Sequence, residues 1–246
     1  MRPADVIGID APGYPARLAS IPSPPKTLWV CGGLPPVGAV AIVGTRHPTR
    51  FGRRVAEAAA TSAVAAGLGV VSGLAAGVDT VAHESALAAG GATWAVLGSG
   101  VDVPTPVSNS ALAEEIVTRG GGLISEVPPG TPVSRSRLVA RDRVQSGLSL
   151  AVVVCQCETS SGAMHTARFA VVQGRLLVVV RPKGRDAAVM ASSGNVVLAD
   201  PGGCDPALLA ATGEVAELIG ARHPVADVVV DDAEELAELF GKLRLA

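Results

Sequence analysis

The sequence predicts an α/β fold, a doubly wound and mostly parallel sheet with helices on both faces. Three observations carry this. From Ala39 onward short β-branched runs alternate with longer Ala-rich stretches, the pattern of strand–helix units folded into a parallel sheet. The runs are nearly uncharged and bounded by Gly or Ser, as strands buried on both faces should be. Glycines also stand where each helix should stop, at Gly67, Gly90-Gly91, Gly120-Gly121 and Gly174, each a left-handed C-terminal cap.

The elements follow in order. Residues 1–33 are Pro-rich, with Tyr14-Pro15 and Ile21-Pro22-Ser23-Pro24-Pro25, and contain one short apolar run at 28–31. They are expected as an extended lead-in with one extra strand, packed on the core. Residues 34–221 are expected to form the main domain. Its strands are expected over 39–43, 68–71, 92–97, 122–124, 150–154 and 176–180, its helices over 53–66, 80–89, 109–119, 135–147 and 161–173. With right-handed crossovers this is a Rossmann-like arrangement. Residues 222–246 are expected as an acidic tail, a strand over 225–230 and an amphipathic helix over 232–243. That tail either masks a basic groove or simply covers a sheet edge.

Composition excludes several classes. At 246 residues and 48% hydrophobic, the chain is not disordered throughout. Aromatics are only 2%, so Ala, Val and Leu must build the core. The mean hydropathy of +0.42 raises the question of a membrane. The longest charge-free stretch, between Glu57 and Asp79, is broken by Gly67, Gly69, Gly73 and Gly77, so no spanning helix is expected. Met1-Arg2-Pro3-Ala4-Asp5 has no apolar signal core behind it, which predicts a cytoplasmic protein. The four cysteines include Cys155 and Cys157, two apart, as if on one face of a strand. There is no Cys-x-x-Cys pair, and no His has ligand spacing to a cysteine. Free thiols are expected, with no metal and no cofactor.

The net charge of −2 excludes a generic polyanion binder. Of 20 basic and 22 acidic residues, three and six lie from Arg222 onward. In the near-neutral remainder the basic residues cluster twice, at Arg46, Arg50, Arg53, Arg54 and at Arg135, Arg137, Arg141, Arg143. Local basic patches are what the sequence offers.

Ligands of open α/β sheets bind beyond the carboxyl ends of the strands, so the strand-to-helix loops hold the candidate chemistry. The first reads Gly44-Thr45-Arg46-His47-Pro48-Thr49-Arg50, where free helix N–H groups and two arginines suit an anion. The second is Ser72-Gly73-Leu74-Ala75-Ala76-Gly77-Val78-Asp79, with His83 one turn on. Asp79 can cap a helix starting at Thr80, and its i+4 spacing allows a structural pair with His83. The third is Gly98-Ser99-Gly100-Val101-Asp102, the fourth Ser125-Glu126-Val127-Pro128, and the fifth contains Ser160-Ser161-Gly162 with Thr166. Five successive strand ends rich in glycine and hydroxyls make a floor of donors suited to phosphate or sugar. Neither G-x-G-x-x-G after the first strand nor a Walker lysine is present.

Read in sequence with Ile42-Val43-Gly44-Thr45-Arg46, Arg141-Asp142-Arg143, Gly147-Leu148-Ser149, Ser161-Gly162-Ala163-Met164-His165-Thr166-Ala167 and Gly174-Arg175, these stretches resemble the DNA-processing protein family, DprA or Smf. The likeness runs from Tyr14-Pro15 to about Arg181, and more loosely to Gly220. It implies an extended Rossmann fold that binds single-stranded DNA, forms a homodimer and loads a RecA-type recombinase during natural transformation. It implies a binder, not an enzyme. In that reading Arg46, Arg50, Arg141 and Arg143 neutralise phosphates. Gly44, Thr45, Ser72, Gly73, Gly77, Gly98, Gly100, Ser161, Gly162 and Thr166 approach the nucleic acid. Asp79, His83, Asp102 and Glu126 support them.

The chain departs from the family pattern. Leu138-Val139 stands where the family usually has Phe-Pro, which removes a stacking platform. Asp142 replaces an Asn, Thr105-Pro106 replaces Tyr-Pro, and Pro182-Lys183 replaces Pro-Gly. With about 25 residues after Arg222, no appended winged-helix domain is expected. Two alternatives stay open. One is a small-nucleotide sensor that has lost DNA binding. The other is a relative of nucleoside-monophosphate phosphoribohydrolases, although Ala163-Met164-His165-Thr166-Ala167-Arg168 lacks the carboxylate that chemistry needs.

Overall fold

The computed structural model describes residues 3–36 and 38–245. Met1, Arg2, Val37 and Ala246, which the expected segments include, lie outside the described residues. In chain order the elements are β1 (Asp5–Gly8), α1 (Ala16–Ala19), β2 (Thr27–Gly32), β3 (Ala39–Val43), α2 (Arg50–Ala65), β4 (Gly69–Ser72), α3 (Val78–Ala88) and β5 (Thr93–Leu97). There follow α4 (Ser110–Thr118), β6 (Gly122–Ser125), α5 (Arg135–Gly147), β7 (Ala151–Val154), α6 (Gly162–Val172) and β8 (Leu176–Val180). The chain ends with α7 (Ser193–Leu198), α8 (Glu214–Gly220), β9 (Val228–Val230) and α9 (Ala233–Leu245).

The strands form one sheet in the order β1-β2-β6-β5-β4-β3-β7-β8-β9. From β6 to β9 all neighbours are parallel, whereas β1 and β2 are added antiparallel at one edge. The strand order turns back between β3 and β7, so a crevice opens beyond their carboxyl ends. Successive side chains of β3 alternate between faces: Val40 and Ile42 join α2 and α3, while Ala41 and Val43 join α6. Ala56, Ala59, Ala60 and Ala63 of α2 are fully buried. Alanine thus builds the helix–sheet contact that aromatics would otherwise fill.

The expected strands and helices of the main domain are all present, displaced by one to three residues at some ends. Gly67, Gly90, Gly120 and Gly174 take positive φ values of +74, +79, +89 and +62° immediately after their helices. Four expectations change. The N-terminal segment contributes two strands, because Asp5–Gly8 pairs with β2, which pairs in turn with β6. β1 is exposed at Asp5 and Val6, so it lacks the apolar alternation that marks a strand. Helix α3 starts at Val78, not Thr80, which puts Asp79 inside the first turn and leaves Gly77, at φ +89°, in the cap position. Cys155 and Cys157 follow the end of β7 and part company there, one packing with α2 and α3 and the other with α6. Finally, the acidic tail is built into the core. β9 extends the sheet beside β8, and Leu236 and Phe240 of α9 are buried under the same layer as α2.

The Pro-rich lead-in is pinned to α5. The Tyr14 hydroxyl donates to the Pro25 carbonyl at 2.6 Å, and Leu18 and Ile21 pack with Val144 and Leu148.

Candidate functional site

A cavity of about 700 Å³ lies at the turn-back point, beyond the carboxyl ends of β3 and β7. Its walls come from three loops and the first turns of two helices. Gly44, Thr45, Arg46 and His47 follow β3; Glu158, Ser160, Ser161, Gly162, His165 and Thr166 follow β7; Ser134 caps α5, to which Arg135, Leu138 and Val139 belong. Asp79, Arg141, Asp142 and Gln145 complete the lining.

The first loop is fixed from behind. The Thr45 N–H donates to the Gln156 carbonyl at 2.7 Å, and the Val78 N–H donates to the Thr45 carbonyl at 3.1 Å. A side chain at Gly44 would meet Val78 and the Gln156 carbonyl, both within 2.7 Å. Gln156 also serves the start of α2: its Oε1 accepts from the Thr49 N–H at 2.9 Å, and its Nε2 donates to Thr49 and Ser192. This explains why α2 begins at Arg50, earlier than its periodicity indicates. Across the cavity Ser161 caps α6 by accepting from the Ala163 N–H at 3.2 Å.

The floor is ionic. Arg141 is only 7% exposed. Its Nε lies 3.1 Å from Asp142 Oδ1 and its Nη2 lies 3.9 Å from Asp79 Oδ2. Nη1 donates to the Val96 carbonyl at 3.0 Å. A methyl group at Gly73 would overlap this guanidinium, so any larger residue there would displace Arg141 from its place. Two carboxylates therefore face one cation, all three largely buried. Burial, with Asp79 adding to it, pushes the Asp142 carboxyl from 3.8 up to about 7 although Arg141 opposes the shift. Burial also raises Asp79, against Arg141 and the Ala75 N–H. Behind them His83 is held neutral, its pKa driven down to about 3 by burial and by Arg141. The Thr93 hydroxyl donates to the Val70 carbonyl and has no second proton. It must accept from His83 Nδ1, 2.8 Å away, which fixes that tautomer.

The rim is different. Arg46, His47 and Arg135 are exposed, and none has a carboxylate partner among the described residues. A ligand entering the cavity thus passes the unpaired Arg46 and Arg135 and then meets a floor whose charges are paired.

Of the residues singled out from sequence, Gly44, Thr45, Arg46, Asp79, Arg141, Ser161, Gly162 and Thr166 line this cavity. The others do not. Arg50 is exposed on the first turn of α2. The Ser72 hydroxyl is buried and donates to the Ile42 carbonyl. Gly73 backs Arg141, Gly77 backs the Thr45 carbonyl and Gly98 backs Leu138. Gly100 backs Asp102, whose carboxylate accepts from the Gly130 N–H. Arg143 forms a two-pronged pair with Glu126 at 2.6 and 2.7 Å. No hydrogen bond joins Asp79 to His83 among the described residues; the histidine partner is Thr93. Sequence reasoning missed His47, Arg135, His165, Gln145 and Glu158 as lining residues. Arg135 and His47 belong to stretches already noted as basic, whereas nothing marked Glu158 or Gln145.

Comparison with known proteins agrees with this fold. A family model described as DNA recombination-mediator protein A matches residues 5–200. Protein Smf from Synechocystis sp. is 42% identical over 167 residues, covering 65% of this chain and 42% of that protein. The chain thus spans less than half of that relative's length. The fold resembles DNA processing protein A from Streptococcus pneumoniae, with a TM-score of 0.69 at 29% identity, over 78% of this chain and 73% of the other. It also resembles DNA processing protein A from Helicobacter pylori, with a TM-score of 0.74 at 23% identity, over 97% and 96% of the two chains. At that identity the second likeness speaks for the fold alone. A match over residues 5–200 of 246 decides the assignment: the chain belongs to the DNA recombination-mediator protein A family, DprA/Smf.

Proposed function

We propose that the cavity beyond β3 and β7 binds single-stranded DNA, and that the chain acts as a recombination mediator of the DprA type. The observation that carries the reading is the contrast of charge within one concavity. Unpaired cations stand at its rim, Arg46 and Arg135, beside the exposed His47 ring, over a floor whose one arginine among the described residues is held by carboxylates. Phosphates sit at the rim in this reading, and an unpaired base turns inward against Leu138 and Val139. A duplex can offer a base to a cavity only after unstacking and unpairing it, a cost of a few kcal/mol that a single strand does not meet. The Helicobacter pylori relative is described by its single-stranded DNA binding mode, the class of ligand proposed here. Natural transformation, a RecA-type recombinase as partner, a homodimer and a cytoplasmic location complete the proposal by family membership. The protein is read as a binder, not an enzyme, because Asp79 and Asp142 are already engaged with Arg141.

Titration of the full chain with labelled oligo-dT and with duplex of the same length, at two salt concentrations, tests this. Preference for the single strand, weakening steeply as salt rises, is expected. A cavity of about 700 Å³ also has the size of a small-molecule site. Binding of a mononucleotide without affinity for oligo-dT would replace the proposal with a nucleotide sensor.

A further inference from the structure

A second concavity lies at the opposite end of the sheet, where the strands begin. It has a volume of about 400 Å³ and sits between the Pro-rich lead-in, the segment entering β3 and the residue that opens β8. Leu34, Pro36 and Leu148 give it apolar walls; Arg17, Ser20 and Arg175 give it its polar groups. No carboxylate is among the described residues that line it.

The two arginines are placed unusually. Arg175 is 9% exposed. Its Nη2 donates to the Arg17 carbonyl at 2.8 Å and more weakly to the Gly147 carbonyl. Its Nε is buried without a hydrogen-bond partner, and its Nη1 has none among the described residues. The guanidinium of Arg17 makes no hydrogen bond or ion pair there either, and its Nε is buried. The charge of Arg17 adds to burial in lowering the Arg175 pKa. Buried arginines are normally paired with an acid. Here buried Arg175 and half-buried Arg17 face the same void, with unused donors and no counter-charge among the described residues. Besides Arg175, the one arginine below one-tenth exposure among the described residues, Arg141, is held by two carboxylates.

We infer that this concavity is a second oxyanion site, which takes the phosphate of a nucleotide-sized phosphate ester between Arg17 and Arg175. Two uncompensated guanidiniums match a dianion better than a single carboxylate, and planar N–H forks suit phosphate oxygens. The apolar walls and the volume leave room for an organic body beyond the phosphate. The same chemistry is offered by a free phosphomonoester and by the terminal phosphate of a nucleic-acid strand. The site shares no residue with the strand-end cavity, so it stands or falls independently of DNA binding there.

The experiment is calorimetric titration of the full chain with inorganic phosphate and with thymidine monophosphate. It is run on wild type, Arg17→Gln, Arg17→Lys and Arg46→Ala. Arg17→Gln removes a guanidinium without protein partners, so the fold is retained; a thermal melt confirms it. At least a tenfold loss of monophosphate affinity is expected in Arg17→Gln, with partial recovery in Arg17→Lys and no loss in Arg46→Ala. Equal affinity in Arg17→Gln and wild type, loss confined to Arg46→Ala, or no uptake of either probe by wild type would each overturn the site. The source is resolved by oligo-dT with and without a 5′-phosphate. Tighter binding of the phosphorylated strand that disappears in Arg17→Gln identifies a strand end; equal binding identifies the free ester.

Discussion

Two arginine clusters that read alike in the sequence behave as opposites in the structure. Arg46 and Arg50, with Arg53 and Arg54, stand exposed on the loop and first turn after β3. In the second cluster Arg135 is exposed, but Arg141 and Arg143 are tied to Asp79, Asp142 and Glu126. The first cluster is therefore charge available to a ligand. Much of the second is charge that holds the scaffold together, because α5 crosses the strand ends and must bring its buried face past the carboxylates of its own turn and of α3. The lesson is that the number of arginines near a site does not measure its positive potential; their partners do.

The sharpest way to break this contrast is to remove Arg141. Arg141→Ala leaves two buried carboxylates without their cation, a loss on the order of 3–5 kcal/mol. Urea denaturation should show it as a lower midpoint with an unchanged slope. Arg46→Ala, made in parallel, should stay within about 0.5 kcal/mol of wild type, as exposed substitutions do. Equal destabilisation by the two variants would abolish the distinction between scaffold and ligand arginines.

A second test uses pH. Asp142 holds a proton in the folded state up to about pH 7, whereas the unfolded chain releases it near 3.8. The native state then binds more protons across that window, so this group makes stability fall as pH rises from about 4 to about 7. His83 works in the opposite sense, because it is buried neutral and the unfolded chain takes up its proton. Comparing Asp142→Asn with wild type cancels the histidine contribution. The variant should gain stability relative to wild type as pH increases through the window, with a constant difference above it. A difference that does not vary with pH would mean that Asp142 is ionised throughout.

The same contrast explains what the sequence could and could not reveal. Strand and helix positions were readable because burial on both faces leaves uniform apolar runs, and because Gly67, Gly90, Gly120 and Gly174 adopt the left-handed conformation their positions require. Strand β1 was not readable: its order comes from pairing with β2, 19 to 25 residues away, and its own side chains are exposed or half-exposed. The loops that form the site were legible by the rule that ligands meet strand carboxyl ends. The roles within them were not. Nothing local to Arg141 shows that Gly73 leaves room for its guanidinium or that Asp79, 62 positions earlier, faces it. Likewise Gly73, Gly98 and Gly100 resemble phosphate-approach glycines, yet each makes space for protein atoms.

Leu138 sharpens the comparison from the apolar side. It lies one turn before Arg141 on α5 and lines the cavity between rim and floor. Leu138→Phe should offer a base a stacking surface, and tighten oligo-dT binding by about 1–3 kcal/mol if one base stacks fully. Fluorescence anisotropy at fixed salt measures the change. Equal or weaker binding, with the fold intact by circular dichroism, would place the bases elsewhere.

The smallest expected effect separates two members of the exposed cluster. Arg46 lines the cavity, whereas Arg50, four residues on, is equally exposed but outside it. Both contribute the same formal charge, and neither has a carboxylate partner among the described residues. If long-range potential alone governed binding, Arg46→Ala and Arg50→Ala would weaken it alike, and both differences would fade beyond about 0.15 M salt, where the screening length is ~8 Å. If Arg46 contacts a phosphate, its removal should also flatten the slope of log affinity against log salt by about 0.7, the increment for one contact on a single strand. Arg50→Ala should leave that slope unchanged. The measurement is a salt series from 50 to 300 mM, roughly two Debye regimes, with oligo-dT on wild type and both variants. Identical slopes for the two variants would return Arg46 to the diffuse field of the cluster and remove it from the site.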